Sequence, residues 1–246
     1  MKIIFWDYDG TLVDTEMWYK KSIIAYFKEN DILLKDITND YFFKNISGKH
    51  PEYFIDKLKQ DGYITKSSMI NINEIEKYYT DFFKKLKVGD IKINDNIDKI
   101  IEKLSKKDDI IMCITSSSYL HDFKIKSDSA NSEILNKLFK IGENIYLCGN
   151  IENCKFKPEP DVYLYALNDI KNKYNLHLTK NDKLFVVEDS NTGCIAAISF
   201  KNQVKDIGVK VIRFTSNHLV DTTDFEKTDF IAKNSNELFN ILNQAQ

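Results

Sequence analysis

The chain opens on a continuous apolar run, Ile3 to Trp6, that stops abruptly at Asp7. So short and unbroken a run predicts a strand buried on both faces. The period then changes. Residues 15–30 bring Trp18, Ile23, Tyr26 and Phe27 round at helical steps, predicting an amphipathic helix. Residues 51–62 start with Pro51 at a first helical position, carry Phe54, Ile55 and Leu58 on one stripe and stop at Gly62. Residues 73–87 set Ile75, Tyr78, Tyr79, Phe82, Phe83 and Leu86 on a broad apolar face. From Glu16 to Lys87 the pattern is that of a helical unit inserted after the first strand, with its aromatic stripes used for packing.

From residue 88 helix and strand alternate. The pattern predicts a helix over 96–107 and a buried strand over 109–118 that runs into a serine-rich turn. A polar helix-and-loop region, expected to be flexible, extends from Tyr119 to Gly142, followed by a short strand at 144–150. Then come a helix over 160–174 that Pro160 can initiate, a buried strand over 183–190 ending in acids, and a helix from Gly193. A strand at 208–214 and a helix at 234–244, capped by Asn234 or Ser235, close the chain. Such alternation predicts an α/β fold, a Rossmann-like doubly wound parallel sheet. Its core domain would span 1–15 and 88–246, with an α-helical cap domain inserted at 16–87.

Composition narrows the partners. The 246 residues are 43% hydrophobic and 29% charged, enough for a sizeable core, and the net charge of -2 gives no bulk attraction to nucleic acid or membrane. Arg213 is the only arginine, so an anion site elsewhere must use lysine ammonium groups and backbone amides. Cys113, Cys148, Cys154 and Cys194 show no zinc-ligand spacing and predict free thiols in a reducing compartment. With no signal segment and no run long enough to span a bilayer, a cytoplasmic location is expected, and the chain is expected to be a monomer.

The candidate chemistry begins where the first strand ends. Asp7 and Asp9 are one residue apart, so continued strand geometry would send both side chains to one side of the pleat. Gly10 and Thr11 follow at the carboxyl end, where open α/β sheets bind ligands. A calcium loop fails on register: counted from Asp7, its glycine and glutamate positions hold Leu12 and Trp18. Thr115 follows an apolar strand, Lys157 and Pro158 lie in KFKPEPDVY, and Glu188 and Asp189 end a strand in LFVVEDSNTGCIAA. Ser116, Ser117 and Ser118 have no adjacent histidine to activate them and read as a phosphate-binding turn. His121, His177 and His218 are scattered and read as surface or structural.

The opening D-x-D-G-T-L-x-D resembles the nucleophile motif of the haloacid dehalogenase superfamily. The later segments match its remaining motifs in order, with K-P-x-P-D and E-D-S-x-x-G as in the beta-phosphoglucomutase-like branch with a helical cap. The resemblance covers nearly the whole chain. It implies a Mg2+-dependent phosphatase that acts on a small phosphorylated metabolite, such as a sugar phosphate, through an aspartyl phosphate. It implies Asp7 as nucleophile and Asp9 as general acid and base, with the Thr115 hydroxyl, the Ser116 amide and Lys157 on the phosphate. The metal would be held by Asp7, the Asp9 carbonyl, Asp189 and Glu188, the last directly or through water. A cation is needed because a phosphate dianion repels an attacking carboxylate. The presence of Asp9 favours an oxygen ester over a haloalkanoate or phosphonate.

The same resemblance places Lys49 and His50, after Gly48, where cap loops touch the non-reacting end of the substrate. It also implies that the cap moves about residues 14–16 and 88–93. Two other functions share the motifs or the fold: a phosphomutase, disfavoured because the cap lacks an arginine, and a catalytically idle phospho-ligand binder, disfavoured by the intact acids and Lys157. One departure stands out, since FKNQVKD replaces the usual small-residue turn after GCIAAIS and predicts a longer polar link.

Overall fold

In the computed structural model, residues 1–49, 51–67, 69–215 and 228–244 are described. Strands β1 (Lys2–Trp6), β2 (Ile110–Ser116), β3 (Ile145–Leu147), β4 (Lys183–Glu188), β5 (Gly208–Phe214) and β6 (Phe230–Ala232) form one parallel sheet in the order β3-β2-β1-β4-β5-β6. The first strand of the chain thus lies inside the sheet, between β2 and β4, where the order reverses direction.

Burial on both faces explains the unbroken apolar run of β1. Ile4 and Trp6 face a cluster filled by α5 (Ile97–Leu104), α6 (Leu120–Ala130), α7 (Glu133–Leu138) and α10 (Ser235–Gln244). Ile3 and Phe5 face the opposite cluster, filled by α8 (Asp161–Lys173) and α9 (Asn191–Gln203). All four side chains are fully buried, each contributing roughly 1.5–3 kcal/mol of hydrophobic stabilisation. Between β1 and α5 the chain forms α1 (Glu16–Glu29), α2 (Asn39–Asn45), α3 (Pro51–Gln60) and α4 (Ile72–Phe83) around a third cluster that includes Ile23, Phe27, Phe42, Phe54, Leu58 and Ile75. The foot of α4 packs onto the sheet side through Phe83, and Thr80 Oγ1 donates to Asp122 Oδ1 on α6 at 3.1 Å.

Several details differ from the sequence pattern. The α2 helix was not anticipated: it is only seven residues long, buries Phe42 alone, and rests on an N-cap in which Thr38 accepts from the Tyr41 amide. Edge strand β6 has three residues, and Phe230 and Ile231 are exposed, so it too lacks a readable pattern. The region expected to be flexible at Tyr119 to Gly142 contains α6 and α7, anchored by Phe123 and Leu135. The polar link expected after Ser199 is mostly helix: α9 runs to Gln203 and buries Phe200 completely. Of the two candidate caps for the last helix, Asn234 does the work, its Oδ1 accepting from the Glu237 amide at 2.9 Å. The four cysteines are free, three of them buried. Among the described residues no helix is long and apolar enough to cross a membrane. His218 lies outside the described residues.

Candidate active site

Strand register assembles the site. Trp6 pairs with Ile114 on β2 and with Val187 on β4. The ladder continues one step, with the Asp7 amide donating to Val187 O at 3.0 Å, so Asp7, Thr115 and Glu188 stand side by side at the carboxyl ends of three adjacent strands. Lys157, carried by the segment between β3 and α8, reaches into this row. Its Nζ donates to Asp7 Oδ1 and Glu188 Oε1, each at 2.6 Å, and to Thr115 O at 3.0 Å. The Tyr163 hydroxyl, from α8, also donates to Glu188 Oε1.

The segment after β4 shows why E-D-S-x-x-G carries those residue types. Ser190 is the N-cap of α9, its Oγ accepting from the Gly193 amide at 3.0 Å. A Cβ at Gly193 would lie 1.8 Å from Glu188 Oε2, and one at Gly10, whose φ is +83°, would lie 2.1 Å from Asp189 Oδ2. Both glycines therefore make room for acids. Thr11 Oγ1 donates to Asp189 Oδ1 at 3.1 Å, and buried Asn94 holds the loop through Gly10 O at 2.5 Å and Thr11 O at 3.1 Å. The sole arginine, Arg213, is buried on β5 and donates to Asn191 Oδ1 at 2.7 Å, bracing the start of α9.

Ligand oxygens of Asp7, Glu188 and Asp189 lie within 4.8 Å of one another. Burial, reinforced by the charge of Glu188 and opposed by Lys157, pushes the Asp7 carboxyl up to about 8. Asp189 is driven well above the usual carboxylate range by burial and then by Asp7, Glu16 and Glu188. Burial disfavours the charge on Lys157, but Asp7 and Glu188 outweigh it and hold its pKa above the ordinary lysine value. Glu188 Oε2 is buried and has no hydrogen-bond partner. One ammonium among crowded acids, an orphaned carboxylate oxygen and an all-oxygen donor set fit a hard divalent cation such as Mg2+.

Asp9 joins a different set of partners. The strand ends at Trp6 and the chain turns, with the Leu12 amide donating to Tyr8 O, so the strand geometry that would have aligned Asp9 with Asp7 does not persist. Its carboxylate accepts from Thr15 Oγ1 at 3.0 Å, Ser118 Oγ at 2.9 Å and Lys126 Nζ at 2.6 Å. Thr115 is fully buried, and its hydroxyl donates to Trp6 O at 3.5 Å while its carbonyl meets Lys157. The hydroxyl expected on phosphate is thus engaged with backbone. Ser116 Oγ accepts from the Ser118 amide at 3.1 Å and closes the serine turn.

The inserted helices complete the surroundings. Ser47 Oγ donates to Glu16 Oε2 at 2.5 Å, and burial raises the Glu16 carboxyl to about 7. Gly48, at φ +68°, lies so near the core that an added Cβ would be 2.6 Å from Ser190 Cβ. Lys49 is half-buried, with its ammonium directed to Lys44 O at 3.5 Å, and burial followed by Lys57 lowers its pKa. His50 lies outside the described residues. His121 and His177 are exposed, as expected. Glu16, Ser47, Lys126 and Tyr163 join the site without a sequence signal that assigns them to it, and Ser118, expected in a phosphate-binding turn, instead bonds to Asp9. Glu16 and Ser118 adjoin motif segments, but Lys126 sits in a polar stretch with nothing to mark it.

A family model of haloacid dehalogenase-like hydrolases matches residues 1–201. No curated protein matches the chain. The structure is similar to a conserved haloacid dehalogenase-like protein of Agrobacterium tumefaciens at a TM-score of 0.73 and 20% identity, covering 98% of this chain and 96% of that one. CbbY of Rhodobacter sphaeroides in complex with phosphate aligns at a TM-score of 0.70 and 17% identity over 96% and 95% of the two chains. A putative beta-phosphoglucomutase of Bacteroides vulgatus aligns at 0.68 and 16% over 100% and 90%.

Proposed function

This chain belongs to the haloacid dehalogenase-like hydrolases, and from that premise we propose that it is a Mg2+-dependent phosphatase of a small phosphorylated metabolite, working through an aspartyl phosphate on Asp7. The observation that carries this reading is the convergence of the Asp7, Glu188 and Asp189 oxygens within 4.8 Å, with Lys157 bonded into the same cluster.

Asp7, Asp189, the Asp9 carbonyl and Glu188 would hold the ion, Glu188 through its unpartnered Oε2 or an intervening water. Bound there, Mg2+ supplies the positive charge that lets a carboxylate approach a phosphate dianion. The Asp7 carboxylate attacks phosphorus in line, and the bond to the leaving oxygen breaks as Asp9 protonates that oxygen. Water then attacks the phosphorus of the aspartyl phosphate, giving its proton to Asp9 and releasing phosphate and Asp7. The Lys157 ammonium steadies Asp7 and the phosphoryl oxygens, and the turn at Thr115 and Ser116 receives the remaining ones.

In this reading residues 16–87 form a cap whose Gly48 loop closes on Ser190, with Lys49 and His50 facing the rest of the substrate. The two crossing segments lie together, Asp14 N donating to Lys92 O at 2.8 Å, and would carry the hinge motion. A phosphatase is favoured over a mutase because residues 16–87 contain no arginine to grip a second phosphate, while Arg213 is buried against Asn191. A structure of CbbY from Rhodobacter sphaeroides holds xylulose-1,5-bisphosphate, which makes sugar phosphates a sensible class to try.

The test is phosphate release from a panel of phosphorylated metabolites with Mg2+, with the ion chelated, and with Asp7→Asn. Turnover should require the ion and should fall by about 1,000-fold or more in the variant. Undiminished release by Asp7→Asn, or under chelation, contradicts the mechanism. No release from any ester would favour a binding role.

A further inference from the structure

Lys126 projects from α6, a helix whose sequence is mostly polar, yet it is only 3% exposed. Its ammonium donates to Asp9 Oδ2 at 2.6 Å and to Ser118 Oγ at 2.7 Å, and Ser118 in turn donates to the same Oδ2 at 2.9 Å. The three groups form a closed triangle. Thr15, at the crossing into the inserted helices, takes the other carboxylate oxygen, Oδ1, at 3.0 Å. Burying a lysine ammonium is costly unless it is paired, so this arrangement is held by both partners. One turn earlier on the same helix, Asp122 is tied to Thr80 of α4, which fixes α6 against the inserted unit.

We propose that Lys126 is a positioning residue for the proton-transfer step, locking Asp9 Oδ2 so that Oδ1 is the oxygen that exchanges a proton with the leaving group and with water. This rests on the phosphoryl-transfer reading above. Oδ2 is committed to an ammonium and a hydroxyl, neither of which leaves room for a substrate oxygen. Oδ1 meets the Thr15 hydroxyl, which can rotate from donor to acceptor as the proton comes and goes. In the first half-reaction the proton moves from Oδ1 to the leaving oxygen, which keeps the electron pair of the broken P–O bond. In the second half-reaction Oδ1 takes a proton from the attacking water. An anchored carboxylate matters because a misplacement of about 1 Å can cost roughly 100-fold in rate.

A purely structural lysine and a positioning lysine predict different dependences on the leaving group. The measurement is kcat/KM, which reports the step that forms the aspartyl phosphate, for the best alkyl phosphate of the panel and for p-nitrophenyl phosphate, with Mg2+ present. An alkoxide needs the proton of Asp9 to depart, whereas nitrophenolate leaves without it. Lys126→Met should lower kcat/KM for the alkyl ester by about 30–100-fold and for p-nitrophenyl phosphate by less than about threefold. Lys126→Gln, which keeps a donor, should recover part of the alkyl-ester rate. Circular dichroism and a thermal melt check folding. If Lys126→Met does not fold, Lys126→Gln and Ser118→Ala carry the same comparison, each with a smaller loss of the same selectivity. Equal losses on both esters, or no loss on either, overturn the inference. A wild-type protein inactive on every ester overturns the underlying phosphatase reading instead, and the positioning role with it.

Discussion

Gly193 illustrates how a residue without a side chain can shape an acidic site. Glu188 is fully buried, and its Oε2 occupies the volume that a Cβ at Gly193 would need, at 1.8 Å. Lys157 and Tyr163 hold the opposite oxygen, Oε1, so the carboxylate has little freedom to move aside. Gly193→Ala should therefore displace Glu188 and lower Mg2+-dependent turnover by about 100-fold, while α9 keeps its helical content because alanine favours helix. Phosphate-release kinetics beside circular dichroism check this, and turnover within about twofold of wild type would show that Glu188 has another place to go. Arg213 is the contrasting case. A lone arginine invites an anion-binding role, yet on β5 it serves the start of α9 through Asn191.

At the scale of elements, the decisive contact is between the loop following α2 and the N-terminus of α9. Gly48 has φ +68° and sits over Ser190, the cap of α9 and the residue after Asp189. Ser47 beside it bonds to buried Glu16 at the start of α1, so one short loop meets both the cap of α9 and the first helix of the insert. Gly48→Ala adds a methyl group where 2.6 Å is available and forces a left-handed backbone that costs about 1–2 kcal/mol for an L side chain. The loop should lift from Ser190, raising KM about tenfold, whereas a Gly62→Ala control, with nothing within 4 Å of its added Cβ, should leave KM unchanged. Steady-state kinetics decide it, and equal effects of the two substitutions would remove the closure argument. The α6 helix belongs to the same scale. Its polar sequence suggested a flexible stretch, but Phe123 against Tyr8, with ring centroids 4.5 Å apart, and Lys126 on Asp9 anchor it from one face.

For the molecule as a whole, the site is a stability liability until its charges are balanced. Asp7 titrates at about 8 and Glu16 at about 7 in the folded protein, and Asp189 is also raised, all chiefly by burial. Carboxyls raised in this way make the metal-free folded state bind more protons than the unfolded state. Their stabilising contribution is complete below the ordinary carboxylate range, and it is lost as pH rises through the folded values of about 7 and about 8. In chelator, Tm should therefore fall by about 5 °C or more between about pH 6 and about pH 9. Added Mg2+ should raise Tm more at the alkaline end, where the acids that would hold it are ionised. Differential scanning fluorimetry across that range tests both statements, and a Mg2+ shift that is larger at the acid end would contradict them.

The apolar run before Asp7, the alternation of helix and strand after residue 88 and the aromatic stripes of 16–87 carry the architecture in the sequence itself, because hydrophobic periodicity is a local record of which faces are buried. Asp7, Glu188 and Asp189 stand out for a related reason, since each lies at or beside a strand end within a short motif, whereas Lys157 sits in the loop before α8 and is marked by its motif alone. Only the tertiary structure decided that Asp7, Thr115 and Glu188 share one row, since that depends on the register of strands far apart in the chain. It also separated Asp9 from that row and gave it Lys126, a partner 117 residues away. Local spacing cannot encode such a pair: a lysine on a polar helix looks solvated until packing turns it inward and burial obliges it to find a counter-charge.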